Sequence, residues 1–276
     1  MSDSHLVLEN LCKSFGPVRA NSNVTIHVAR GTVHAILGEN GAGKTTLMNM
    51  LYGLLQPDSG RIILNGREVR IDSPRRALEL GIGMVHQHFM LVGPLTVTEN
   101  IILGMSGQAL TLNQGAHRAR LLELSEAFGF EVEPGMEASR LPIGMQQRVE
   151  SLKCLYRDAA RSILDEPTSV LTPQETRTFF DVLRRLKAAN KTILFITHKL
   201  EEVMNLSDRV TVMRAGTVTN ELETATTNPG ELARLMVGRE VIFNIGSREG
   251  RRGGRLLSLQ DVTATGERGN RALDGL

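Results

Sequence analysis

The chain has 276 residues, 41% of them hydrophobic and 22% charged, with a formal net charge of +2. That is enough apolar material for one large domain or two small ones, while no stretch approaches a membrane span and the start resembles no signal peptide. The near-neutral charge and the shortage of aromatics, with no Trp and two Tyr, argue against a nucleic-acid partner, and Cys12 and Cys154 have no CxxC partner and are expected to be buried thiols of a reducing cytoplasm.

Apolar alternation at residues 6–11 and 24–28 predicts the first strands. Residues 33–37 read as a buried strand and 46–51 as a helix. Between them Gly38, Glu39, Asn40, Gly41, Ala42, Gly43, Lys44 and Thr45 match G-x-x-x-x-G-K-[ST], the loop whose backbone N–H groups cradle phosphates at a helix N-terminus. Its glycines let the chain turn tightly and approach a phosphate without a Cβ in the way. Lys44 is expected to reach the β- and γ-phosphates and the Thr45 hydroxyl to complete a Mg²⁺ site, with Thr46 beside them at the helix start. Nucleotide binding is therefore the first functional expectation.

Further along, residues 56–60 read as a turn, 61–64 as a strand, and Asn65 with Gly66 as a two-residue hairpin turn. A short helix with Pro74 at its first position runs towards Gly81, and residues 82–85 form another strand. From about residue 91 to 158 the pattern is helical, with a capping box at Thr96 and Glu99, an amphipathic helix over 117–130 and a third helix over 146–156. Strand character returns at 163–164, a second capping box stands at Thr172 and Glu175, and residues 192–197 are an apolar strand followed by a helix. Alternating helices and buried strands mean an α/β core. The expected fold is a P-loop NTPase (RecA-like) core with an antiparallel β subdomain and an inserted helical subdomain.

Asp165 and Glu166 end an apolar strand and lead into Pro167. In a phosphate-loop enzyme, Asp165 would hold Mg²⁺ through water, and Glu166 would orient and deprotonate the attacking water. Gln87 follows a strand end, where its amide would sense Mg²⁺ and water, and His198 follows another, where its imidazole would contact the γ-phosphate.

The ordered set of phosphate loop, Gln87, the segment 141–148, Asp165, Glu166 and His198 resembles the ATP-binding subunits of ABC transporters over about residues 5–240. The resemblance implies an ATPase that uses ATP and Mg²⁺. It implies that Phe15 stacks on adenine and that the signature loop 141–145, through Gly144, closes on ATP held by a partner domain. Residues 84–92, 146–150 and 165–175 look like bacterial importers of simple sugars and nucleosides. The implied partners are a second ATP-binding domain, in the same parent chain or a dimer, integral membrane permease subunits and, indirectly, a solute-binding protein. The implied location is peripheral, at the cytoplasmic side of the cell membrane. Two departures stand out: Pro142 and Ile143 replace the family's Ser and Gly, and Arg161 and Ser162 occupy an acidic strand that is usually aliphatic.

The expected organisation is an ATP-binding domain over 1–242, a basic linker over 243–255, and a truncated start of a second domain over 256–276. Residues 256–262 echo 6–11, and 271–276 echo 19–24. The competing function is a soluble tandem-domain ABC ATPase acting on ribosomes or nucleic acid. The short linker and the lack of basic clusters disfavour it.

Overall fold

The computed structural model describes residues 4–86, 90–105, 114–239, 258–265 and 271–275, in two units divided between Val241 and Ile242. In the first unit, β1 (Ser4–Phe15) and β2 (Val18–Ala29) make an antiparallel hairpin longer than the alternation suggests. The pattern breaks inside these strands because Asn10 and Asn23 adopt positive φ (50° and 49°) and the register shifts around them. The chain continues through β3 (Val33–Leu37), α1 (Lys44–Leu51), β4 (Ser59–Leu64) and β5 (Arg67–Val69). Asn65 and Gly66 join the last two with φ of 51° and 76°, the mirror-image turn that matches strand twist. Then come α2 (Pro74–Glu79), capped by the Ser73 side chain, and β6 (Ile82–Val85).

Three helices follow before the next strand: α3 (Val97–Ile102), α4 (Gln114–Phe128) and α5 (Ile143–Tyr156). They form the inserted helical part. The rest is β7 (Arg161–Asp165), α6 (Pro173–Ala188), β8 (Thr192–Thr197), α7 (Leu200–Leu206), β9 (Arg209–Arg214), β10 (Thr217–Glu223) and α8 (Pro229–Val237). Both expected capping boxes are present, Thr96 with Glu99 and Thr172 with Glu175. β10 alternates little and is only half-buried, whereas β9 and α8 carry signals that the sequence reading passed over: a β-branched run at Val210, Thr211 and Val212, and Asn228 as cap with Pro229 after it and Gly238 past the end.

Among the described residues the larger sheet has the order β10-β9-β3-β8-β7-β6 and is parallel except for β10. The smaller sheet, β2-β1-β4-β5, is antiparallel. Side-chain alternation divides the core. Val33, Ala35, Leu37, Leu164, Ile193 and Phe195 face the helical side. Ile36, Ile163, Leu194 and Ile196 face the antiparallel sheet and α1. Strands covered on both faces become continuous apolar runs, which is why β3 and β8 were legible. The register places Leu37 beside Thr197 and Asp165 beside Ile196, so the carboxyl ends of β3, β7 and β8 converge.

Arg161 and Ser162 are buried despite their polarity. The Arg161 guanidinium is held by neutral polar groups: it donates to the Leu80 carbonyl (3.2 Å) and Asn65 Oδ1 (3.3 Å) and touches His5. Cys154 is buried, as expected, and burial pushes its thiol up to about 12. Cys12 is only half-buried, with its thiol against Asn23 Oδ1 at 3.3 Å. Both cysteines are free thiols.

His34 lies fully buried in β3 with Nε2 2.7 Å from Thr211 Oγ1. Burial drives its imidazole down from 6.5 to about 3, and the Arg209 charge adds to this. The folded state thus resists a proton that the unfolded chain accepts below its ordinary value. Stability should be unaffected at neutral pH and fall as pH drops from about 6.5, by roughly 1.4 kcal/mol per pH unit. Urea unfolding of His34→Gln, which cannot titrate, should lose less stability than wild type between pH 6.5 and 4.5; equal losses contradict this.

In the second unit, β11 (Ala264–Thr265) pairs antiparallel with β12 (Arg271–Leu273). The pairs are Ala264 with Leu273 and Thr265 with Arg271, with a shift between them. In the first unit Lys13 pairs with Asn21 and Ser14 with Arg19, also with a shift between. Asp261 has φ 52°, and Asn10, at the matching place in the echo, has φ 50°. The expected linker, 243–255, lies outside the described residues.

Candidate functional site

The loop from Gly38 to Gly43 leaves the end of β3 and turns into α1. Gly41 and Gly43 have φ of 82° and 92°, and Gly43 is the residue preceding the helix. A Cβ on Gly43 would collide with the Ala20 carbonyl, and one on Gly38 would sit 2.5 Å from the Met213 carbonyl. These glycines are thus required by neighbouring backbone as well as by the turn. Asn21 Nδ2 donates to the Gly43 carbonyl at 3.2 Å and braces the loop from the hairpin side.

The Lys44 side chain folds back over the loop and donates to the carbonyls of Gly38 (2.8 Å) and Glu39 (2.9 Å). Burial lowers its ammonium below the ordinary lysine range, and the nearby charges of Glu166 and Asp165 oppose that shift. Thr45 Oγ1 donates to Asp165 Oδ1 at 3.4 Å, which brings the loop to the end of β7. Burial raises the Asp165 carboxyl, the Thr45 hydrogen bond lowers it and the Glu166 charge raises it further.

Glu166 holds a left-handed backbone, φ 46°, with its N–H donated to the Ile196 carbonyl at 3.1 Å. A non-glycine residue in that region costs about 1–3 kcal/mol and persists only where its surroundings enforce it. Its Oε1 lies 3.1 Å from His198 Nδ1, so the ends of β7 and β8 are joined by a side-chain pair. A cleft of about 520 Å³ opens over the loop, lined by Asn40, Gly41, Ala42, Gly43, Thr45, Thr46, Lys44 and Glu166.

Thr45 and Asp165 present a hydroxyl and a carboxylate, the hard oxygens that Mg²⁺ takes together with substrate phosphates. Their proximity fits the ion. Among the described residues no group of three or more His, Cys, Asp or Glu could hold a metal by itself, and a phosphate-bound Mg²⁺ needs none.

The structure thus brings together the loop, Lys44, Thr45, Thr46, Asp165, Glu166 and His198. Phe15 stands apart at the hairpin end, 47% exposed, with Lys13 Nζ 5.8 Å from its ring. Val18, Arg19 and Ala20, across that turn, line the cleft with Ala215. Sequence reasoning missed all four, as well as Asn21. The pairing of Phe15 with Val18 that brings the first three there belongs to the fold and has no mark in their spacing. Gly144 lies outside this cluster at the start of α5, where a Cβ would strike the Glu175 carboxylate. Gln87 lies outside the described residues.

The family model for ABC transporters matches residues 21–169, more than half of the chain. A glucose import ATP-binding protein of Haloferax volcanii is 42% identical, over 98% of this chain and 54% of that relative. A nucleoside import ATP-binding protein of Lactococcus lactis is 44% identical, over 97% of this chain and 53% of the relative. For a guanosine import ATP-binding protein of Bacillus subtilis the figures are 46%, 94% and 51%. The chain spans about half the length of these curated relatives. Among solved structures, an ATP-binding cassette of an ABC transporter in its ADP conformation superposes with a TM-score of 0.73 at 26% identity, covering 85% of this chain and 95% of that one. The cbiO1 protein of Clostridium perfringens, part of an ABC transporter complex, gives 0.71 at 28% identity, covering 84% of this chain and 91% of that one. The fold is thus that of a known ATP-binding cassette, and the chain belongs to the ABC transporter family.

Proposed function

We propose that this chain binds Mg·ATP and hydrolyses it to drive import of a small solute, a simple sugar or a nucleoside, through separate membrane subunits. The observation that carries the proposal is the cleft lined by Lys44, Thr45 and Glu166 at the ends of adjacent strands, with Asp165 hydrogen-bonded to Thr45 and His198 to Glu166. Lys44 binds the terminal phosphates, Thr45 and Asp165 hold Mg²⁺, and Glu166 takes the proton of the attacking water, with His198 steadying its carboxylate. When bound, the ion neutralises charge on the phosphates. Gln87 is assigned to sensing Mg²⁺ and water, and Phe15 to adenine stacking.

The relatives' names, glucose, nucleoside and guanosine import ATP-binding proteins, support import over action on ribosomes. Among the described residues no helix is long and apolar enough to cross a membrane, in keeping with a peripheral subunit on the cytoplasmic side that works with permeases and a solute-binding protein. Residues 256–276 are read as the start of a second ATP-binding domain. The repeated pairing register and the matched left-handed Asn10 and Asp261 support that reading, as does the twofold length of the relatives. Tagged chain purified from its own host should bring down integral membrane proteins; recovery with ribosomes instead contradicts the proposal.

Gly144 and the signature loop are assigned to closing the partner's ATP site. Pro142 precedes α5 with φ −56° and ψ 154°, and its carbonyl accepts from the N–H groups of Met145 and Gln146. It offers neither hydroxyl nor N–H to a phosphate. In a protein carrying both domains, Pro142→Ser should raise turnover at the partner's site, by up to about 10². Unchanged turnover would restrict Pro142 to starting the helix.

A further inference from the structure

Glu202 sits in α7 and is 6% exposed. Its carboxylate divides between two loops. Oε1 accepts from the Thr168 hydroxyl, in the segment after β7, and pairs with Lys199 Nζ at 3.1 Å. Oε2 accepts from Thr197 Oγ1 at 2.7 Å, at the end of β8. Thr197 Oγ1 in turn accepts from the Lys199 N–H (3.0 Å), and Lys199 Nζ donates to the Thr168 hydroxyl (3.1 Å) and carbonyl (3.3 Å). Thr168 and Thr197 are both 2% exposed.

This places one buried carboxylate behind Glu166 and His198, whose side chains pair. Thr168 lies two residues after Glu166, and Thr197 and Lys199 flank His198 on either side. Charge-assisted hydrogen bonds in a dry setting are short and directional, so they fix where the two loops sit relative to each other. Glu202 does not line the phosphate-loop cleft; with His198 and Lys199 it lines a separate pocket.

We propose that Glu202 is a positioning residue that holds the segment after β7 and the segment after β8 in register, so that Glu166 and His198 meet. This rests on the reading of Glu166 as the group that accepts the proton of the attacking water. A misplacement of about 1 Å at such a group costs on the order of a hundredfold in rate. Glu202→Ala should therefore lower single-turnover ATP hydrolysis about a hundredfold while leaving Mg·ATP affinity unchanged. Glu202→Gln keeps one acceptor oxygen and should recover part of the rate.

The test uses the full chain and two readouts. The first is turnover against affinity in wild type, Glu202→Ala, Glu202→Gln and Glu166→Gln, with thermal melts to establish folding. The second is the ¹⁵N resonances of the His198 imidazole, which report its hydrogen bond to Glu166. In both Glu202 variants they should move towards those of Glu166→Gln. Resonances unchanged from wild type in a folded Glu202 variant overturn the proposal whatever the turnover. Wild-type turnover in Glu202→Ala, with Glu166→Gln inactive, overturns it while leaving the hydrolysis reading intact. Full activity in Glu166→Gln overturns the hydrolysis reading instead, and the resonances then decide the positioning role alone.

Discussion

Glu166→Gln is expected to keep Mg·ATP binding and abolish turnover. The amide is nearly the same size and can still face His198 Nδ1, 3.1 Å away, and the Lys44 cradle is made by backbone carbonyls that the change does not touch. What it loses is the ability to accept the proton of the attacking water. Loss of a positioned general base costs typically about 10²–10⁴ in rate. Single-turnover hydrolysis with protein in excess measures it. A rate within a factor of a few of wild type would remove Glu166 from the chemistry.

Lys44→Ala should have the largest effect on binding. The wild-type ammonium is already desolvated and held over the loop by Gly38 and Glu39, so little ordering remains to be done when a phosphate arrives. Each charge-assisted contact contributes roughly 1.5–3 kcal/mol. Losing two weakens ATP affinity by about two to four orders of magnitude. The variant also removes the ammonium whose charge couples to Glu166 and Asp165. Equal affinity by calorimetry would show that the loop does not bind phosphate through Lys44.

Much of this site was legible because its parts are short, local and chemically constrained. The loop from Gly38 to Thr45 needs glycine at fixed places, and the backbone of Ala20 and Met213 shows why substitution is barred at two of them. Asp165 and Glu166 stood out because they end an apolar strand covered on both faces. The turn at Asn65 and Gly66 and the boxes at Thr96 and Thr172 are local hydrogen-bond or dihedral devices, and local devices survive in sequence. What was missed depends on contacts distant in the chain. Val18, Arg19 and Ala20 line the cleft because a hairpin with several register shifts folds over the loop. Nothing in their spacing announces it. Asn21 and Glu202 are ordinary polar residues until the fold places Gly43, or Thr168 and Thr197, beside them. β10 was missed because it is half-buried along its length and carries no clean alternation.

The central claim is that this cleft is an ATP site. Calorimetric titration of the wild-type chain with Mg·ATP tests it most directly. The expected result is saturable binding at one site per chain, competed by ADP and not by adenosine, because the phosphates carry most of the contacts. No heat of binding, or binding that adenosine displaces as well as ADP does, would contradict the account.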